Sequence, residues 1–211
     1  MKTILLVGDS IRQDYGQVLD PMLPHITVLN KAGLKEAYQN LDLPMGSNVG
    51  DSSGLLAWLR KGEILLDASR LDLFAFNCGL HDVKRHRPGD QIQIPPEAYK
   101  ENLTDIVTLV RSKGIPVVFI NTTMADASRY APEATFTRFN EDVLSYNEIA
   151  GQVMESLQVP VIDLYGFTAS LGFAGDELFR DHTHFQPEVI RLQAAYLAGC
   201  LGTMMAQEES L

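Results

Sequence analysis

In LLVGDSIRQDY (residues 5–15) an apolar run stops abruptly on Gly8-Asp9-Ser10. With Thr3 and Ile4 ahead of it, the run has the length of a buried strand closed by a glycine. Asp and Ser after that glycine suit a strand-ending turn or a helix N-cap. They also suit a serine nucleophile presented at a strand tip. On these residues alone all three readings stand.

Outward from this stretch, similar apolar runs recur at 26–29, 71–76, 117–120 and 159–162, which makes five expected strands. Helical periodicity fills the intervals: Tyr99, Leu103, Ile106, Val107 and Val110 share one face, and Phe139, Val143, Tyr146, Ala150, Val153 and Leu157 share another. Pro95 and Pro96 suit the start of the first of these helices, and Gly114-Ile115-Pro116 stops it. A last helix, begun near Pro187, carries Ile190, Ala194, Leu197, Leu201 and Met204 before an acidic tail expected to fray. Strand and helix in alternation predict a parallel sheet covered on both faces.

Composition narrows the partners. The 211 residues carry 27 acidic against 17 basic side chains, a net charge of -10, the wrong sign for a protein that must replace the counterions of nucleic acid. No run of about 18 apolar residues appears, so no spanning helix and no membrane partner are expected. The N-terminus is too short in its apolar part for a secretion signal, which reads as cytoplasmic unless a signal has been removed. Cys78 and Cys200 stand in apolar settings and read as two buried thiols.

In an open parallel sheet ligands bind beyond the carboxyl ends of the strands. Polar residues just after strands are then the candidates: Asp9 and Ser10, then Asn77, Gly79, His81 and Asp82, then Asn121, Thr122 and Thr123, then Asp163. DHTH (181–184) adds Asp181, His182 and His184 ahead of the last helix. Its spacing of three lets Asp181 orient the ring of His184, as a base serving a serine requires. The same histidines with His81 also invite a zinc reading, weakened by the lack of a second ligand cluster, and no metal or cofactor is expected.

GDS ending at Ser10, Gly50 within NVGDSS (48–53), GLHD (79–82) and DxxH (181–184), in that order, resemble the sequence blocks of the SGNH hydrolase superfamily, also called GDSL esterases and lipases. The resemblance spans residues 8 to 184 and implies one domain over 1–211. The fold it implies is a flavodoxin-like three-layer α/β sandwich whose five-stranded parallel sheet has the order 2-1-3-4-5. It further implies a serine ester hydrolase working through an acyl-enzyme, with Ser10 as nucleophile, His184 as general base and Asp181 as its orienter. Oxyanion donors implied by the resemblance are the amides of Ser10 and Gly50 and an asparagine side chain from the third block.

That third donor is where the chain departs from the family. Where the pattern has G-x-N-D, this sequence has Gly79-Leu80-His81-Asp82. Three readings follow: His81 donates through its ring N–H, the lost carboxamide is replaced by Asn48 from the Gly50 loop, or the site has decayed. Openings of the GDSIR type with GLHD resemble members associated with polysaccharide deacetylation, which implies removal of short acyl groups from an oligosaccharide or small-molecule ester. Thioesterase or lipid esterase activity, and an inactive binding module, are the alternatives.

Basic residues near the blocks have two readings. Lys84-Arg85-His86-Arg87 is a solvated loop, or a patch that receives an anionic group of the substrate, joined by Arg129 and Arg138. Asp9 and Arg12 flank the serine as further substrate-binding candidates. Asp9 and Asp82 read as loop-bonding residues, Asp163 as a support, and Trp58 as core.

Overall fold

The computed structural model describes residues 1–62 and 71–207. Five strands form one parallel sheet: β1 (Lys2–Val7), β2 (Ile26–Asn30), β3 (Leu73–Phe76), β6 (Val117–Ile120) and β8 (Val161–Ile162). Their order is β2-β1-β3-β6-β8, which is 2-1-3-4-5 when only the strands of this sheet are counted. β1 lies between two parallel partners, with Ile4 opposite Val28 on one side and Leu73 on the other. Every residue from Ile4 to Val7 is buried, as are all four of β3 and all four of β6. A strand covered on both faces has no polar side to show, which explains continuous apolar runs in place of alternation. β2 and β8 are the edges, and there Leu29 and Val161 reach solvent.

Helices α1 (Ser10–Leu19), α6 (Leu164–Ser170) and α8 (Pro187–Gln207) pack together in one layer. Helices α3 (Ser52–Arg60), α4 (Pro96–Arg111) and α5 (Asn140–Ser156) pack together in another, and α2 (Leu34–Ala37) and α7 (Gly175–Leu178) are single turns. The expected faces of α4 and α5 are buried, with Phe139 and Leu157 only partly covered as the caps of α5. α8 departs from its expectation, because over Pro187–Ala206 it is long and apolar enough, by length and composition, to cross a membrane. Interspersed Gly, Gln and Thr hid this from a search for an unbroken apolar run, and Val189, Ala194, Leu197 and Leu201 are buried in the core. The fraying expected after Gln207 lies outside the described residues.

A second sheet was not foreseen. Residues 84–87 do not form a solvated loop: Arg85–His86 is β4, the central strand of a small antiparallel sheet with β5 (Gln91–Ile92) and β7 (Phe136–Thr137). This sheet stands beside the third block and brings Phe136 and Arg138 towards it.

Chain direction explains where the site forms. β1 runs through α1 to the edge strand β2, and the chain then returns through α3 to β3 on the other side of β1, so the strand order reverses between β1 and β3 and their carboxyl ends mark the place where such sheets bind ligands. Gly8 closes β1 there, and only glycine fits. A Cβ at this position would stand 1.9 Å from the Oδ1 of Asn77 and 2.9 Å from the Cβ of Arg12.

Candidate active site

Asp9 and Ser10 divide the roles left open by the opening stretch. Asp9 is the N-cap of α1, its Oδ1 accepting the amide of Ile11 at 3.0 Å. Ser10 is the first helical residue, where an amide has no intrahelical acceptor. The cap is therefore made without the serine hydroxyl. The Asp9 carboxyl is fully buried and raised above its usual range by that burial, which Asn77, the Ile11 amide, Arg138 and His184 oppose.

The hydroxyl of Ser10 lies 2.7 Å from Nε2 of His184, and Nδ1 of the same ring lies 2.7 Å from Oδ2 of Asp181. The other oxygen of Asp181 accepts the amides of Thr183 and His184, each at 2.8 Å. Burial pushes the Asp181 carboxyl up, but the His184 ring and these two amides outweigh it and hold the group well below the usual carboxylate range. An ionised carboxylate only accepts, so Nδ1 carries the proton and the lone pair of Nε2 faces the serine hydroxyl. Ser10 and His184 are each 1 % exposed.

Backbone pairing holds this loop. Phe179 and Phe185 bridge in antiparallel fashion, and the amide of Arg180 donates to the carbonyl of His184 at 2.9 Å. Arg180 also reaches α1, pairing with Asp14 at 2.7 Å one turn beyond Ser10. Tyr38 donates to the other oxygen of Asp14 at 3.1 Å. No motif marks Asp14 or Arg180, and the only sequence signal was their spacing from Ser10 and Asp181.

The second block lies against the end of β1, where Asn48 bridges Gly8 and the amide of Val49 donates to the Gly8 carbonyl at 3.2 Å. Gly50 adopts φ +75°, and a Cβ there would stand 2.6 Å from Pro44, so glycine is required on both counts. Its amide donates to Oδ1 of Asn48 at 2.9 Å. The donors of Asn48 are spent as well, on the carbonyls of Leu41 at 3.1 Å and Leu43 at 3.3 Å. Asn48 is thus the holder of this loop and has no free N–H to offer a substrate, which corrects its place among the expected oxyanion donors.

His81 is fully buried, and neither ring nitrogen has a hydrogen-bond partner among the described residues. Burial first, then Lys84 and Arg138, hold its pKa far below the usual imidazole value, so the ring is neutral with one N–H. An unmade buried donor costs about 1–3 kcal/mol. Asp82 beside it bonds the loop, both oxygens accepting the amide of Ser52, at 3.0 and 3.1 Å. Burial raises Asp82 to about 7. Asp163 caps α6 and accepts from Asn121 at 2.7 Å.

The other basic candidates require correction. Arg12 is 1 % exposed, its Nη1 donating to Asn30 at 3.2 Å and its Nη2 to the carbonyl of Ser47 at 2.6 Å, so it pins α1 to β2 and does not face solvent. Arg85 forks onto Asp142 at 2.6 and 2.8 Å. Arg129 holds Asp176 at 2.7 Å and the carbonyl of Asp181 at 2.8 Å. Lys84 is buried. These side chains do not make the surface patch that their sequence suggested.

A parallel sheet with a serine, an imidazole and a carboxylate hydrogen-bonded in series beyond its strand ends has the arrangement of an α/β hydrolytic enzyme. The family model described as GDSL-like lipase/acylhydrolase matches residues 6–191, and the chain belongs to that family. It is accordingly a carboxylic ester hydrolase. No curated protein matches the sequence. Among solved structures, a lipase/acylhydrolase from Enterococcus faecalis is similar at 21 % identity and TM-score 0.67, over 94 % of each chain. The carbohydrate acetylesterase Est24 from Sinorhizobium meliloti is similar at 14 % identity and TM-score 0.67, covering 97 % of this chain and 100 % of its own. The M. smegmatis aryl esterase is similar at 16 % identity and TM-score 0.66, covering 96 % and 99 %.

Proposed function

We propose that this protein removes short acyl groups, acetyl above all, from a carbohydrate or small-molecule ester through an acyl-enzyme on Ser10. The observation that carries the reading is the unbroken chain from the Ser10 hydroxyl through His184 to the ionised Asp181, with 2.7 Å at each step. His184 takes the Ser10 proton as the hydroxyl attacks the ester carbonyl, and returns it to the leaving alcohol. Water, deprotonated by the same ring, then cleaves the acyl-enzyme. Asp181 keeps the ring in the required tautomer and stabilises the imidazolium between these steps.

Negative charge on the carbonyl oxygen needs donors. In this reading they are the Ser10 amide, the His81 ring N–H and the Gly50 amide, the last after Asn48 releases it. Neutrality suits His81 to this task, since a ring with one N–H donates without competing for the proton that His184 carries.

A short acyl group is supported by the polar character of the candidates at the strand ends. Asp9, Asn48 and His81 suit a small polar substrate better than the apolar chain a long-chain groove would hold. The similarity to a carbohydrate acetylesterase and to the acetyl xylan esterase AlAXEase is compatible with a sugar as the alcohol half. Turnover of para-nitrophenyl esters from acetate to laurate tests the reading. The expected specificity constant is highest for acetate and lost in Ser10→Ala. A maximum at octanoate or beyond favours a lipid esterase, and no turnover by the folded protein favours a binding module.

A further inference from the structure

Two buried cations next to His81 both reach Asp42, one through its carboxylate and the other through its main-chain carbonyl. Arg138, 1 % exposed, donates from Nε to the carbonyl of Leu80 at 2.7 Å, and from Nη1 to Oδ1 of Asp42 and the hydroxyl of Tyr130, each at 3.0 Å. Lys84, 4 % exposed, donates to the main-chain carbonyl of Asp42 and stands 4.5 Å from the centroid of Phe136. Among the described residues, Asp42 is the one carboxylate within ion-pair distance of Arg138, and Lys84 has none. His182 completes the group, with Nε2 3.5 Å from the Asp42 carboxylate and its ring centroid 4.0 Å from that of Tyr130, the two rings tilted by 31°.

The anion that serves these groups comes from a surface loop. The side chain of Asp42 is 26 % exposed, and its neighbour Leu43 is 49 % exposed. Leaving a buried cation without a counter-charge costs several kcal/mol, so this group needs an anion from some source. Position matters equally. The Asp42 carboxylate lies between His182, whose ring is 6.3 Å from that of His184, and Arg138, which holds the residue before His81. Ser10 and His184 are nearly inaccessible, so a substrate must displace part of their cover.

We propose that Arg138, Lys84 and His182 form a subsite for a carboxylate carried by the ester substrate, and that Asp42 is its internal occupant, displaced as the substrate binds. The proposal rests on the ester-hydrolase reading above and names the substrate class: anionic esters. One consequence reaches the oxyanion donors. Asn48 grips the carbonyls on both sides of Asp42 while its Oδ1 holds the Gly50 amide, so movement of this loop moves the group that occupies that amide. The subsite takes Lys84 from the basic run but not Arg85 or Arg129, whose charges are already met.

The test reads binding and turnover separately. Calorimetric titration with succinate compares the wild type, Asp42→Asn, and Asp42→Asn combined with either Arg138→Gln or Lys84→Met. A tethered competitor acts at an effective concentration of order mM, so Asp42→Asn should bind succinate about 10-fold more tightly, and either added substitution should cancel the gain. For turnover, the KM of para-nitrophenyl hemisuccinate relative to para-nitrophenyl acetate should fall about 10-fold in Asp42→Asn. Comparing para-acetoxybenzoate with its methyl ester tells whether the alcohol half carries the charge instead. Equal succinate affinity in the wild type and Asp42→Asn overturns the proposal, as does a gain that survives both added substitutions. Because binding needs no turnover, its failure is distinct from failure of the ester-hydrolase reading, which would leave the acetate ester untouched.

Discussion

His81→Ala removes the ring proposed as the third oxyanion donor, and its setting in the structure fixes the size of the expected effect. The ring is fully buried, neutral, and without a hydrogen-bond partner. Its unmade N–H costs about 1–3 kcal/mol in the resting protein, and an oxyanion beside it would recover that cost in the transition state alone. Loss of one such donor lowers kcat by about 10²–10³, or about 2.7–4 kcal/mol. Water has no ready access to take its place, so the upper half of that range is expected. Stability should move less, because the lost packing is offset by relief of the unpaired ring. The assay is steady-state hydrolysis of para-nitrophenyl acetate as a function of pH. We expect kcat to fall with KM within about threefold, and His81→Asn to restore much of the rate. Since His81 is uncharged at working pH, the acidic limb of the profile should be unmoved by the substitution. A kcat within about threefold of the wild type, or a shifted acidic limb, refutes the reasoning.

Two further perturbations probe the frame around the site. Asp82 has a folded pKa raised to about 7, so its contribution is present below its unfolded value and is lost as pH rises through the folded one. The melting temperature of the wild type relative to Asp82→Asn should therefore rise as pH is lowered from about 8 to about 5, and a difference that is flat with pH would contradict this. Arg180→Ala cuts the tie between the helix of Ser10 and the loop of His184. Because Arg180 is about a third exposed, stability should drop by at most about 1 kcal/mol, whereas kcat should fall about 10-fold with KM nearly constant and Arg180→Lys should recover part of it. An unchanged kcat would mean that the tie does not position the reacting groups.

Much of the fold was legible because its strands are covered on both faces. Ile4 to Val7 and Val117 to Ile120 carry no polar side chain, and the helix faces of α4 and α5 repeat cleanly. The small antiparallel sheet left no such trace, since its two-residue strands are too short for a period and pair Arg85 with Thr137 across a long stretch of chain. At the site, Ser10, Asp181 and His184 were marked by residue type and spacing. Asn48 was misjudged because its partners are main-chain carbonyls of Leu41 and Leu43, which no side-chain pattern reports. Arg12 was a substrate-binding candidate because it stands two residues from Ser10, yet its two terminal nitrogens turn inward to Asn30 and the Ser47 carbonyl. Asp42 belongs to no motif, and its role emerges only when the loop brings it onto Arg138.

Stoichiometric labelling by a fluorophosphonate, mapped by mass spectrometry, tests the nucleophile itself. The expected result is one label per chain, on Ser10, with esterase turnover abolished in proportion and no label on folded Ser10→Ala. A folded protein that stays unlabelled, or that carries the label on another residue, would contradict the assignment of Ser10, His184 and Asp181 as the reacting chain.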